Sequence, residues 1–177
     1  MHRFAPLRNN VAGDSGIDDY RGHFTLIFLP GSPYTCYVKG RWTANQLVHH
    51  STTLEACGGN CGLAALLSLV PTGDIVECYD SKSAVAALRR LGCHSVSLTE
   101  QVAWRGDLLR DSESAYRIFI FWFPRELNQM CDAGSKDEMA ELDALLLARA
   151  LPPLAPEPML APAVIRLTDV PTSSASG

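Results

Sequence analysis

The stretch IVECYDSKSAVAALRRLG, residues 75–92, is the segment from which the fold class is read. Its short apolar run, 75–79, predicts a buried strand, and the continuous apolarity favours a central, parallel position in a sheet. Asp80 stands at the end of this strand, and a helix that ends near Gly92 follows it. An acid in that position either caps the helix or holds a ligand, and the other acids of the chain bear on which.

Composition and charge narrow the class of protein. The chain has 177 residues, 47% of them apolar, which suits one globular domain with additional tails. A net charge of −4 does not indicate a strongly basic nucleic-acid binder, although it is compatible with local basic patches. No apolar leader opens the chain and no window reaches the roughly 20 apolar residues of a membrane span, so we expect an intracellular protein, cytoplasmic or nuclear, without a membrane partner.

The six cysteines lie mostly in apolar runs, which favours free thiols in a reducing compartment. Cys57 and Cys61, with His49 and His50 just upstream, are the one grouping that suggests zinc. No second pair completes a set of four ligands, so free thiols are the preferred interpretation.

The remaining pattern predicts an α/β fold. Apolar runs and alternation predict further strands at 23–29, 34–40, 46–50 and 116–124. Helical periodicity and capping residues predict helices at 51–70, 81–92, 98–113 and 135–151. We therefore expect a mixed five-stranded sheet, made of a three-stranded antiparallel meander and two parallel strands, flanked by helices.

The ends of the chain have a different composition from the middle. Residues 1–22 are polar and rich in Gly, Asp and Asn, and are expected to be loose. Residues 152–177 are rich in Pro, Ala and Ser and predict a disordered tail. The folded domain is accordingly expected at 23–151.

Three acids fall where this element order brings strand ends together. Asp80 ends a strand, Asp132 precedes the last predicted helix, and Glu55 lies near the start of the first helix. Each has an ordinary structural interpretation as a helix cap or a first-turn acid. Together they predict a crevice of carboxylates, which suits Mg²⁺ or Mn²⁺ as a cofactor.

The order of three segments resembles the ribonuclease H domain of retroelement reverse transcriptases. GRWTANQLVHHSTTLEA is similar to the family's approach to its catalytic Glu, VECYDSKSAVAALRRLG to its Asp-Ser strand end, and FIFWFPRELNQMCDAGSK to its W-x-P-R-E-x-N ending. The resemblance covers roughly 23–145 and implies that Glu55, Asp80 and Asp132 are catalytic metal ligands. It implies two-metal hydrolysis of the RNA strand of an RNA–DNA hybrid, and other parts of a retroelement polyprotein as partners.

Basic residues near these acids are candidate nucleic-acid contacts, although each alone is also typical of an ordinary solvated surface. They are Lys39, Arg41, Lys82 and Arg125. Trp104 and Trp122 are expected in the core.

The resemblance has departures at the site. In the family an Asp closes the first strand, and here Pro30 takes that position, which cannot bind a metal. Asp14, Asp18 or Asp19 could substitute, but each precedes the predicted strand. Another alignment puts Gly62 at the position of the Glu. The alternative function is therefore a catalytically inactive ribonuclease H-like module that binds nucleic acid or connects other domains.

Overall fold

The computed structural model of the protein describes residues 9–15, 22–90, 95–111, 116–160 and 165–167, with the backbone alone at 9–15 and 111. Its described strands are β1 (Asn9–Ser15), β2 (Gly22–Phe28), β3 (Cys36–Arg41), β4 (Gly73–Tyr79) and β5 (Tyr116–Trp122). Its described α-helices are α1 (Ser51–Leu69), α2 (Lys82–Arg90), α3 (Val96–Asp111), α4 (Gln129–Ser135) and α5 (Met139–Ala148).

The strands form a single mixed sheet in the order β3-β2-β1-β4-β5. The pairs β1–β2 and β2–β3 are antiparallel, and the pairs β1–β4 and β4–β5 are parallel. β1 therefore lies in the middle of the sheet, with β2 on one side and β4 on the other. The ends of β1 and β4 consequently meet at the same end of the sheet, which is where α/β sheets place ligands.

The sheet is not composed of the strands that the sequence predicts. Residues 9–15, predicted to be loose, form the central strand, because pairing on both sides overrides the weak strand propensity of the polar sequence NNVAGDS. The predicted strand 46–50 is wrong, since Gln46–Val48 is a 3-10 helix. There the backbone N–H groups of Gln46 and Leu47 both donate to the carbonyl of Thr43, which tightens the chain into a turn.

The last predicted helix, 135–151, is observed as the shorter α5, and α4 is an additional helix just before it. α4 and α5 are separated by a short turn in which Asp137 has a φ of 63°. Asp tolerates this left-handed conformation better than most residues. Asp132 therefore lies inside α4 and not in the loop before the final helix.

The glycines of α1 allow the helix to approach the sheet closely. A methyl group on Gly59 would overlap the ring of Tyr79 in β4, and one on Gly62 would overlap Thr25 in β2. The run CGGNCG, which weakens helix propensity in the sequence, is thus the contact surface of α1 on the sheet. The buried core of this face combines α1 with residues of β2, β3 and β4, such as Ile27, Val38 and Ile75.

The opposite face of the sheet is covered by α4 and α5. Phe24 and Leu26 of β2 pack there against Cys131 and Leu142. Gly134 of α4 lies against the Phe24 ring, so closely that a Cβ at position 134 would overlap it. The two helical layers therefore fix β1 and β2 from both sides.

The segment after α5, which the composition predicts to be a disordered tail, runs alongside β3. Leu154 forms a parallel bridge with Thr35, and the Met159 N–H donates to the Tyr37 carbonyl over 2.7 Å. Farther along, Leu167 is buried and belongs to the same core cluster as the apolar residues of α1. No helix over the described residues has the length and apolarity needed to cross a membrane.

Candidate functional site

The central feature of the site is the register between β1 and β4. Ala12 of β1 pairs with Cys78 of β4, and both strands run in the same direction. Asp14 and Asp80 each follow their member of this pair by two residues. The backbone thus brings two acids to matching positions at the end of neighbouring parallel strands.

Asp80 is half-buried just after β4, and it is not the cap of α2. Ser81 has that role, because its hydroxyl oxygen accepts from the Ala84 N–H over 3.1 Å. The backbone carbonyl of Asp80 accepts from the indole Nε1 of Trp122 over 2.9 Å. Among the described residues, none hydrogen-bonds to or forms an ion pair with the Asp80 carboxylate, which leaves it available to a ligand.

Glu55 lies in the second turn of α1 and is half-buried. Gly58, one helical turn further, lies against His23 at the start of β2, where an added Cβ would come within 3.1 Å of the His23 Cβ. His23 in turn pairs with Ser15 at the end of β1. Glu55 is therefore placed near the same end of the sheet as Asp14.

Asp132 approaches from the other face of the sheet and already has cationic partners. One carboxylate oxygen accepts from Lys136 Nζ over 2.7 Å, and the other lies 3.9 Å from an Arg125 guanidinium nitrogen. The hydrogen bond to Asp132 raises the pKa of Lys136. Gly134, two residues after Asp132, contacts Phe24, the register partner of Asp14.

The described carboxylates do not by themselves form a metal site. Among the described side chains, no three His, Cys, Asp or Glu lie close enough together to hold a metal ion. The Asp14 side chain is not among the described ones, so this finding applies to Glu55, Asp80 and Asp132 without it. As a donor set, carboxylates of this kind still suit Mg²⁺ or Mn²⁺ rather than zinc or copper.

Pro30 has no part in this end of the sheet. It occupies the turn after β2, where the Ser32 N–H donates to the Leu29 carbonyl and Gly31 takes a φ of 77°. β2 runs antiparallel to β1, so its last residue, Phe28, pairs with Asn10. The prediction that Pro30 replaces the first Asp is wrong, because this turn lies about six residues, roughly 20 Å, from the level of Asp14.

Sequence reasoning therefore missed the position of Asp14 on the strand next to β4. The first apolar segment, 23–29, predicts the first strand, and on that prediction Asp14 precedes the sheet. The signal that could have found Asp14 is the spacing of a Gly-Asp-Ser triplet shortly before an apolar strand.

The predicted nucleic-acid contacts are spread over several elements. Lys39 on β3 forms an ion pair with Asp137 at 2.7 Å, and Arg125 lies beside Asp132. Lys82, the first residue of α2, has its Nζ 4.4 Å from the centroid of the Trp122 ring. Arg41 ends β3, away from β4. Lys82 and Arg125 are thus the two of these that lie beside the acids.

The two tryptophans expected in the core differ. Trp104 is buried in α3, as predicted, but Trp122 is exposed at the end of β5. The described cysteines, which include Cys57 and Cys61, are all free. The hydrogen bond with Cys61, together with burial, raises the pKa of Cys57, which is typical of inert core thiols.

Comparison with solved structures identifies the fold. The structure is similar to that of RNase H1 from the halophilic archaeon Halobacterium salinarum NRC-1, with a TM-score of 0.51 and 16% identity over 74% of this chain and 98% of that one. It is also similar to the N-terminal RNase H domain of rv2228c from Mycobacterium tuberculosis, solved as a fusion with maltose-binding protein, with a TM-score of 0.50 and 16% identity over 81% of this chain and 99% of that one. No protein-family model and no curated protein matches the chain.

These likenesses define the class of the protein by its architecture. The chain has a ribonuclease H-like α/β fold. At 16% identity the similarity carries the fold and not the activity of those proteins.

Proposed function

We propose that this chain is a hybrid-specific ribonuclease, which cleaves the RNA strand of an RNA–DNA duplex. Its working carboxylates would be Asp14, Glu55, Asp80 and Asp132. The observation that carries the proposal is the equal offset of Asp14 and Asp80 from the paired residues Ala12 and Cys78. An origin in a retroelement reverse transcriptase is supported by the sequence resemblance of the Glu55, Asp80 and Asp132 segments.

The positions of the other two acids support the same site. Glu55 is on the helix that covers one face of β1 and β2, and Asp132 is on the helix that covers the other. Nearby glycines on both helices, Gly58 and Gly134, closely approach His23 and Phe24, which pair with the last two residues of β1. Acids from four separate elements would therefore surround the ends of β1 and β4.

This donor set fits a hard divalent cation. Bound at such carboxylates, Mg²⁺ or Mn²⁺ supplies activation of a water molecule and stabilisation of the leaving oxygen in phosphodiester hydrolysis. Asp80 would donate both carboxylate oxygens without breaking a contact, since the described residues give its carboxylate no partner. Asp132 would exchange Lys136 for the cation, and the released ammonium would then be within reach of a substrate phosphate.

Basic side chains near these acids would fix the substrate. Lys82 follows Asp80 by two residues, and Arg125 lies on the approach to Asp132. Contacts of this kind hold phosphates and set the register on the duplex without reading base sequence. Selection of an RNA strand would then depend on duplex shape and on its 2′-hydroxyl groups.

A second candidate function is an inactive module that binds the same nucleic acid. The observation that favours it is the state of Asp132, since each of its carboxylate oxygens faces a cationic side chain. An acid held in this way is a weaker metal ligand, because the ion must displace the existing partners. Such a module would bind a hybrid through Lys82 and Arg125 but would not cut it.

The test is incubation of a labelled RNA–DNA hybrid with the protein in Mg²⁺ or Mn²⁺. The wild type should cut the RNA strand, and Asp14→Asn and Asp80→Asn should each reduce the rate by about a hundredfold or more, because even groups outside a metal's ligand shell cost 10- to 100-fold. Pro30→Ala is the matched control and should cut at the wild-type rate. Binding without cleavage would support the inactive module. Absence of both binding and cleavage would contradict both functions.

A further inference from the structure

Trp122 differs from the other two tryptophans of the chain in its exposure. Its accessible fraction is 41%, compared with 6% for Trp42 and 3% for Trp104. It is the last residue of β5 and pairs with Tyr79, the last residue of β4. A large aromatic ring is thus exposed to solvent directly beside Asp80.

Two contacts hold the Trp122 ring in this position. Its Nε1–H donates to the backbone carbonyl of Asp80 over 2.9 Å, so the ring's one polar group is already used. Lys82 Nζ lies over the ring, 4.4 Å from its centroid. What remains exposed is an apolar π-surface with a cation beside it.

This combination suits a nucleotide better than a purely apolar partner. A base stacks on an indole, and an ammonium pairs with the phosphate that accompanies the base. Inside a duplex both faces of a base are covered by its neighbours, whereas an unpaired base has a free face. The chemistry of the ring and the cation therefore favours a single-stranded nucleotide as the occupant.

We propose that Trp122 and Lys82 form a stacking platform that holds an unpaired nucleotide next to the site at Asp80. The base displaces the Lys82 ammonium from the ring, and the ammonium moves to the nucleotide's phosphate. This inference rests on the proposed function, because it makes the platform a positioning surface for the strand that enters the carboxylate site. It adds that the preferred substrate carries a single-stranded extension beside the hybrid.

The test uses intrinsic tryptophan fluorescence, because Trp122 is the exposed fluorophore and the other two are buried. The probe is a single-stranded oligodeoxythymidylate, which a hybrid-specific ribonuclease does not cut. We expect saturable quenching that is absent in Trp122→Phe. Absence of quenching in the wild type, or equal quenching in Trp122→Phe, would overturn the platform.

Binding of a labelled oligonucleotide, followed by anisotropy, provides the second readout. Trp122→Ala should weaken affinity by roughly 5- to 150-fold, the range for loss of one stacked base. Lys82→Met should reduce the slope of log affinity against log salt by about 1, as loss of one phosphate contact does. Phe121→Ala removes a neighbouring aromatic side chain that is also exposed, and it should leave affinity unchanged.

Matched cleavage substrates separate this inference from the proposed function. A hybrid with a single-stranded extension should be cut faster than a blunt hybrid, and Trp122→Ala should abolish only that difference. Quenching without cleavage of either hybrid would retain the platform and remove the nuclease. Cleavage of both hybrids at equal rates, with no quenching, would retain the nuclease and remove the platform.

Discussion

Two acids, Glu77 in the middle of β4 and Asp80 directly after its last residue, have opposite environments. Glu77 is fully buried and bonded to Arg105 of α3 at 2.7 Å, with Tyr79 donating a further hydrogen bond at 3.2 Å. Asp80, three residues later, is half-buried, and no described residue binds its carboxylate. Glu77 therefore belongs to the packing of the sheet against α3, and Asp80 is available for a ligand.

Burial alternates along β4, and Glu77 lies at a buried position. Ile75, Glu77 and Tyr79 are the buried positions of β4, and the residues between them are less buried. Burial and the Glu77 charge raise the pKa of Tyr79 well above its ordinary value, so this hydroxyl stays protonated and able to donate.

Removal of Arg105 should destabilise the protein by removing the ion-pair partner of the buried Glu77. Arg105→Met leaves the Glu77 carboxylate buried without its cation, which should cost about 3–5 kcal/mol of unfolding free energy. Urea denaturation followed by circular dichroism measures it. Lys136→Met breaks the exposed Asp132 pair instead and should cost at most about 1 kcal/mol. If Arg105→Met lost less than about 1 kcal/mol of unfolding free energy, the buried Glu77–Arg105 pair would not be the structural element we infer.

His23 is a second buried ionisable group, and no described residue hydrogen-bonds to its ring nitrogens. Burial lowers its pKa to about 4, so the unfolded chain, with a pKa near 6.5, binds the proton more tightly. Stability should therefore fall as pH falls from about 6.5 to 4, by up to about 3 kcal/mol at 1.36 kcal/mol per pKa unit.

The measurement is unfolding free energy against pH, compared between the wild type and His23→Leu. The variant should lose most of the slope between pH 6.5 and 4, while slopes from carboxylates at lower pH remain. An unchanged slope would mean that His23 is not the group responsible.

Two glycines in helices give a matched pair for the packing of α1. Gly62→Ala should destabilise by about 1–3 kcal/mol, because the new methyl group overlaps Thr25 in β2. Gly106→Ala in α3 meets no atom within 4 Å and should stabilise by about 0.4–1 kcal/mol, because it restricts the unfolded chain. Thermal unfolding of both variants checks the sign of each change, and the same sign for both would contradict the close helix–sheet contact.

The cap of α2 gives the smallest predicted difference. Ser81→Ala should destabilise by about 1 kcal/mol, the usual cost of losing an N-cap. Asp80→Ala should change stability by no more than about 0.5 kcal/mol, as for other residues without a structural partner. Equal losses of stability for Ser81→Ala and Asp80→Ala would indicate that Asp80 also caps α2.

The segments around Asp80 and α1 were predictable because their apolar periodicity matches their structure. Helix 51–70 is observed at Ser51–Leu69, and the strand at 75–79 is observed within Gly73–Tyr79. β1 was not predictable, since NNVAGDS has neither apolar alternation nor β-branched enrichment and becomes a strand through its two neighbours.

The missed strand β1 also led to a wrong prediction for the candidate site. Without β1, the sequence places Pro30 at the position of the first acid, although the turn that contains Pro30 lies at the other end of the sheet. The exposure of Trp122 was also missed, because an aromatic residue in the most β-prone segment is usually buried. Strand order and register, which depend on contacts distant in sequence, are what correct both predictions.

The most direct test of the account is to locate divalent-metal binding on the folded protein. Mn²⁺ titrated into isotope-labelled protein broadens NMR signals of the amides nearest to the bound ion. We predict that the signals of Asp14, Asp80 and their chain neighbours broaden first, and that those of the turn around Pro30 broaden last. Broadening centred on that turn, or no localised broadening at millimolar Mn²⁺, would contradict a carboxylate site at the joint end of β1 and β4.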